Sequence, residues 1–148
     1  MLIRASFDEK LCFETYLPHK LSEIGTSKWL ESRPVLSWCL VLDREPIGWY
    51  ELSKPKGEID LETPPGSLER EVWLLEKYRG LRLIQRATDL IIPFAKNHGV
   101  HNLLGIVYED NHSARRGLEA GGFKELGKTM WRGENNESGW AWAYILNI

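Results

Sequence analysis

Apolar and polar positions follow a strand-like period of two in some stretches of the chain and a helical period in others. Residues 1–6 read as a first strand. Asp8, Glu9 and Lys10 open a helical stretch in which Leu11, Phe13, Tyr16 and Leu17 cluster, and Pro18 stops it. A second helical piece runs to about Gly25, and a short third follows Ser27 as N-cap and ends before Pro34. Val35 to Leu42 is a β-rich run, Asp43-Arg44-Glu45-Pro46 a turn, and Ile47 to Ser53 the second arm of a hairpin. Residues 54–66 hold two clusters of proline and glycine and read as a loop. Leu68 to Leu75 is the next strand, its alternation placing Glu69, Glu71, Trp73 and Leu75 on one face.

Residues 81–97 form the clearest long helix. Leu83, Ala87, Leu90 and Phe94 make its predicted stripe, joined by Ile84 and Ile91. Pro93 is expected to kink it, and Gly99 to end it in the left-handed conformation. Asn102 to Tyr108 is a strand in which Gly105 marks a bulge or a close backbone approach. Residues 112–120 form a short helix ended by Gly121-Gly122, with Phe123 folding back. Residues 124–132 and 139–146 are two strands joined by the turn Gly133 to Glu137. The order is strand, helices, three strands, helix, strand, helix, two strands. That is an α/β fold, a mixed and mostly antiparallel sheet of about seven strands with flanking helices. A central strand–helix–strand crossover makes one pair parallel and right-handed.

Composition narrows the class. The length of 148 residues suits one domain, 1–148, and 43% apolar with 27% charged residues excludes a disordered chain. A net charge of -2 gives no bulk attraction to nucleic acid or anionic lipid. The longest apolar run, Val35 to Leu42, is too short for a membrane span, and the charged residues 1–10, without an apolar stretch, lead us to expect no secretory signal. Two cysteines, Cys12 and Cys39, make neither a disulfide framework nor a zinc site, so a reduced cytoplasmic protein without metal is expected. Seven tryptophans are many for this length, and they read either as core filling or as an aromatic pocket. Trp140 and Trp142 fit a buried sheet face or the edge of a homodimer.

Two segments carry a family resemblance. One is EVWLLEKYRGLRL, Glu71 to Leu83. The other is NHSARRGLEAGGF, Asn111 to Phe123, with Ala114 three residues after the asparagine and Gly122-Phe123 eleven and twelve after it. In these, and in its order of elements, the chain resembles the GNAT superfamily of acyl-CoA-dependent N-acyltransferases, most nearly the branch that acetylates ribosomal-protein N-termini. The resemblance implies that acetyl-CoA binds and that an amine acceptor attacks its thioester directly; with no ligand cluster, basic patch or long apolar run, no metal and no nucleic-acid or membrane partner is expected.

The family's Q/R-x-x-G-x-G/A turn aligns with Arg79-Gly80-Leu81-Arg82-Leu83-Ile84. There a helix N-terminus offers unpaired N–H groups and partial positive charge to a pyrophosphate. Arg79 fits the pattern, while Arg82 and Ile84 replace small residues. Arg82 adds charge but its Cβ crowds the phosphate, and Ile84 pushes helix and ligand apart. By the same resemblance the backbone of Trp73, Leu74 and Leu75 holds the coenzyme's arm and polarises the thioester. Asn111 either contacts that arm or, with Ser113, caps the following helix. Arg115 and Arg116 either reach the phosphates or face solvent. The residue seven after the asparagine, a tyrosine in many relatives, is Leu118 here; Tyr108 substitutes as proton donor if its ring turns inward.

Glu69 and Glu71 are the candidate general bases, on one face of their strand where relatives carry a carboxylate; plain ion-pairing with neighbouring cations is the rival reading. Glu58, Asp60 and Glu62 point to a cationic amine, in a small molecule or a protein. The alternative function is a ligand- or partner-binding module of the same fold with little or no turnover.

Overall fold

The computed structural model of the chain describes Lys28, residues 36–133 and residues 137–148. The expected strand 1–6, the helical pieces before Pro34 apart from the helical Lys28, and the tip of the last turn lie outside the described residues. Seven strands form one sheet in the hydrogen-bonded order β1-β2-β4-β5-β7-β6-β3, antiparallel apart from the pair β4 and β5. The chain divides into two compact units: residues up to Glu51 with Glu71–Ile84, and Leu52–Arg70 with Gln85–Ile148.

In the first unit β1 (Ser37–Leu42) and β2 (Glu45–Ser53) form the predicted hairpin. Its turn is tighter than the four residues expected. Asp43 and Arg44 alone make it, at φ +49° and +67°, the double left-handed geometry that matches the strands' twist. Leu42 therefore faces Glu45, and Pro46 enters the strand beside a register shift at Leu40/Val41. Trp38 meets the fully buried Tyr50 edge-on, with ring centroids 6.0 Å apart. The end of β4 joins through the Leu75 N–H, which donates to Ile47 O at 2.9 Å. Gly48 permits this approach, because a Cβ there would lie 2.3 Å from Trp73 O.

The second unit contains a strand the polarity pattern did not reveal. Gly57–Ile59, inside the expected loop, forms β3 and pairs antiparallel with the end of β6 (Lys124–Gly133). Three residues are too few to show a period, and only the partner strand makes them a strand. The crossover is as expected: β4 (Leu68–Leu74) leads through α1 (Leu83–Asn97) to β5 (Asn102–Tyr108), parallel to it. The registered pairs are two, Leu68 with Leu103 and Glu69 with Leu104. α2 (His112–Ala120) and the long ladder of β6 with β7 (Ser138–Asn147) complete the unit.

Both helix C-termini close as their glycines predict. Gly99 and Gly122 stand at φ +76° and +81°. Val100 and Phe123 then donate to Ala95 O and Leu118 O at 3.1 Å, capping carbonyls that would otherwise lack partners.

The predicted stripe on α1 holds only in part: Ile91 is buried and Leu83, Ile84 and Ala87 are half-buried, but its other two members face solvent. Thr88, Ile91 and Ala95 are buried, whereas Leu90 is 80% and Phe94 44% exposed. The helix carries two adjacent apolar stripes, and its neighbours select the one with smaller side chains. Gly105 is the close approach and not the bulge: β5 keeps unbroken register with β7, and a Cβ at Gly105 would lie 2.7 Å from Leu118 Cδ2. No helix among the described residues is long and apolar enough to cross a membrane.

Candidate active site

The segment after β4 builds the first part of the site. A single 3-10 turn, Glu76–Tyr78, follows the strand, closed by the Arg79 N–H donating to Glu76 O at 3.0 Å. The Arg79 side chain folds back, its Nε donating to Leu74 O at 3.1 Å. Arg79 thus ties the end of β4 to the loop, a bracing role that its place in the motif did not foretell. Gly80 and Arg82 both take left-handed backbone, at φ +78° and +55°. Leu81 is 58% exposed between them, and α1 opens at Leu83 with no acidic residue in its first turn. Arg82 therefore adopts a conformation that glycine takes at least cost.

This arrangement suits an anion. Two arginines precede a helix N-terminus whose dipole disfavours cations unless a negative group is present. Ile84, the other departure, is half-buried in the helix's first turn.

The second unit places the remaining candidates. Asn111 caps α2, its Oδ1 accepting from the Ala114 N–H at 3.1 Å; the cap belongs to Asn111, and Ser113 is exposed. Arg115 turns inward: it donates to Tyr144 Oη at 3.1 Å, lies 4.0 Å over the Trp142 ring and sits 3.7 Å from Glu125. The hydrogen bond to Tyr144 holds its guanidinium charged. Arg115 is thereby bound to the sheet, and Arg116 is the exposed member of the pair. Leu118 is fully buried beneath Gly105, so nothing at that position can give a proton.

The two candidate bases have different surroundings. Glu69 Oε2 accepts the Lys56 backbone N–H at 3.0 Å, holding the loop between β2 and β3. Glu71 is half-buried further along β4. In the acidic segment Asp60 is already matched: Arg132 donates two bonds to it, at 2.7 and 3.0 Å, and holds its carboxyl below the usual range.

One carboxylate escaped the sequence reading. Glu51 is 1% exposed and accepts from Trp49 Nε1 at 3.4 Å. The signal was a single acid inside the run Ile47 to Leu52, whose other members are apolar or glycine. Among the described residues no group of three or more His, Cys, Asp and Glu could hold a metal ion.

The chain is similar to known proteins of one family. A family model described as an acetyltransferase (GNAT) domain matches residues 5–124. No curated protein matches the chain. Among solved structures, an aminoglycoside acetyltransferase, AAC(6')-Ib, in complex with coenzyme A is 18% identical. That match has a TM-score of 0.74 and covers 99% of this chain and 87% of that one. A ribosomal-protein-alanine N-acetyltransferase from Brucella melitensis is 16% identical, with a TM-score of 0.70 and coverage of 99% and 89%. A GNAT-family acetyltransferase from Bacillus anthracis is 12% identical, with a TM-score of 0.73 and coverage of 97% and 84%. At such identities the likeness establishes the shared fold.

Proposed function

Because the chain belongs to the GNAT acetyltransferase family, we propose that it is a cytoplasmic single-domain enzyme, residues 1–148, that moves an acetyl group from acetyl-CoA to a primary amine of a small molecule or a protein. The observation that carries this reading is the Arg79–Ile84 loop. Its two left-handed residues deliver the chain into an acid-free helix N-terminus.

In this reading the coenzyme's pyrophosphate lies against residues Gly80 to Ile84, with Arg82 adding charge and Arg79 bracing the loop through Leu74. The pantetheine arm bonds to the backbone of Trp73 and Leu74, beyond the point where registered pairing of β4 with β5 ends at Glu69; Leu75, expected to share this role, gives its N–H to Ile47 O and takes the Tyr78 N–H on its own carbonyl. A backbone N–H there polarises the thioester carbonyl as negative charge grows on its oxygen. Asn111, with Ser113 beside it, fixes the start of α2. Glu71 takes the amine's proton, directly or through water. Glu69 holds the Lys56 loop beside it, a role its hydrogen bond supports.

The neighbours acetylate or are named for different acceptors, an aminoglycoside in one case and a ribosomal-protein alanine in another. Both are amines. The rival, a binding module without turnover, draws on the burial of Leu118 at the usual donor position. Calorimetric titration with acetyl-CoA, followed by thiol release with ribostamycin and with an alanine-initiated peptide as acceptors, separates the two. Micromolar binding that weakens in Arg79→Ala, with turnover of either acceptor, supports the enzyme. Binding without turnover favours the module, and no binding at millimolar acetyl-CoA defeats both coenzyme roles.

A further inference from the structure

A loop that binds phosphate through its backbone gains affinity when its N–H groups are already in place, because ordering them at the moment of binding costs free energy. The segment between the 3-10 turn and α1 does little to hold itself. Gly80 and Arg82 stand in left-handed backbone, and among the described residues their N–H groups donate to no backbone oxygen. The space beside Gly80 is open, with no atom within 4 Å of where a Cβ would stand. The aim of these donors is therefore set at the ends of the loop. Its far end is α1. Its near end is the turn Glu76–Tyr78, and what fixes that turn lies in the same compact unit.

Just before the turn, the Leu75 N–H donates to Ile47 O at 2.9 Å and joins the chain to β2. Glu45 opens β2, and its carboxylate takes the turn's own side chains. Lys77 Nζ donates to Oε1 at 2.7 Å, and Tyr78 Oη donates to Oε2 at 2.5 Å. The Lys77 ammonium also lies 4.7 Å from the centre of the Tyr78 ring. Arg79 follows, drawn back to Leu74 O. The three side chains that precede Gly80 are thus all engaged with acceptors of the protein itself. Lys77 and Glu45 are about half exposed, and an ion pair so placed adds little to stability. It adds no net charge for an anion either, since Glu45 cancels Lys77. What it does supply is geometry: one carboxylate fastens two consecutive residues at the entrance of the loop.

We propose that Glu45 is a positioning residue for the coenzyme, presetting the loop that receives the pyrophosphate by holding Lys77 and Tyr78. This rests on the acetyltransferase reading above. The role carries a sign that charge alone would reverse. Removing a carboxylate beside an anion site relieves repulsion and strengthens anion binding, whereas removing this one weakens it. Motif reading could not find Glu45, because it stands more than thirty residues before the loop and meets it only through the hairpin.

The test is calorimetric titration with acetyl-CoA and with adenosine diphosphate, which offers the pyrophosphate without the pantetheine arm. For Glu45→Ala both ligands should bind about five- to tenfold more weakly, while the unfolding midpoint of the free protein barely moves. Glu45→Gln keeps an oxygen for Tyr78 and should recover part of the loss. Tyr78→Phe should weaken binding about two- to threefold and add nothing in the Glu45→Ala background, because the two act through one contact. Unchanged or tighter binding by Glu45→Ala overturns the proposal. So does a Tyr78→Phe loss that multiplies with that of Glu45→Ala. A fall in affinity that tracks a fall in the unfolding midpoint, with no recovery in Glu45→Gln, assigns Glu45 to the fold and overturns it as well. Should Glu45→Ala not fold, Glu45→Gln and Tyr78→Phe decide the matter, and wild-type affinity in both overturns the role. A wild-type protein that binds neither ligand removes the coenzyme reading itself, and the role of Glu45 with it.

Discussion

Replacing Arg82 by glycine and by alanine, side by side, isolates the backbone strain in the loop before α1. Both changes remove the guanidinium; only glycine removes the Cβ. At φ +55° a side chain with a Cβ meets the following carbonyl, at a cost of roughly 1–2 kcal/mol that glycine avoids. Glycine gives back about 0.4–1 kcal/mol through the greater freedom of its unfolded chain. The difference leaves Arg82→Gly more stable than Arg82→Ala by about 0.5–1 kcal/mol. Arg82 is exposed, so lost packing contributes little to either variant. With a urea slope of about 1–3 kcal/mol per molar for a domain of this size, the two midpoints should differ by a few tenths of a molar. Equilibrium urea unfolding followed by tryptophan fluorescence measures this directly, with seven tryptophans as reporters. Equal midpoints, or alanine above glycine, would refute the strain and with it the claim that the loop keeps a glycine-shaped backbone. Titration of the same pair with acetyl-CoA tests the other half of the reasoning. If the guanidinium meets the phosphates, both variants bind about fivefold more weakly than wild type, near 1 kcal/mol. If the Cβ crowds them, the glycine variant binds more tightly than wild type.

Three further outcomes follow from the packing and the charges. Gly105→Ala should cost about 1–3 kcal/mol, because the added methyl meets Leu118 Cδ2 at 2.7 Å in a filled core; in Gly105→Ala/Leu118→Ala the combined loss should be smaller than the sum of the single losses in urea unfolding, and simple additivity would show that the two do not meet. Ile91→Ala should cost about 2–4 kcal/mol while Leu90→Gln stays within about 0.5 kcal/mol, and the reverse order of thermal midpoints would restore the stripe read from periodicity. Arg132 holds the Asp60 carboxyl below its ordinary value of 3.8, so the pair's stabilisation is present above that pH and is lost as pH falls through the lowered value; Asp60→Asn should flatten the acid limb of stability below about pH 4, and an unaltered limb in acid titration would remove Asp60 from the account.

Local chemistry made some of this legible in the sequence. Gly99 and Gly122 end helices because left-handed backbone is cheap only for glycine, a rule that needs no knowledge of neighbours. The parallel crossover followed from strand, helix and strand in order. What escaped the sequence was decided by contacts between distant residues. β3 exists because Gly57 to Ile59 meet the end of β6, and three residues hold no period to read. α1 offers Ile84, Thr88, Ile91 and Ala95 on one stripe and Leu83, Ala87, Leu90 and Phe94 on the next. Periodicity gives the angle between such stripes but not which of them meets the sheet. Glu51 was passed over for the opposite reason, since a lone acid in an apolar run looks like noise until its burial is known.

The site divides along the same line, because its parts act through different atoms. A phosphate-binding loop works through backbone N–H groups and torsions, whereas a motif records side chains. Arg82 therefore reads as a defect in the letters and yet stands at φ +55° in the structure, a backbone that glycine favours. Leu118 shows the converse: the letter is the whole matter there, because proton transfer needs a hydroxyl and no backbone geometry supplies one. A substitution in this family's loop is thus weak grounds for lost coenzyme binding, while a substitution at a proton donor sends the search to other side chains. That asymmetry makes the Arg82 pair of variants the test of whether the coenzyme binds at all.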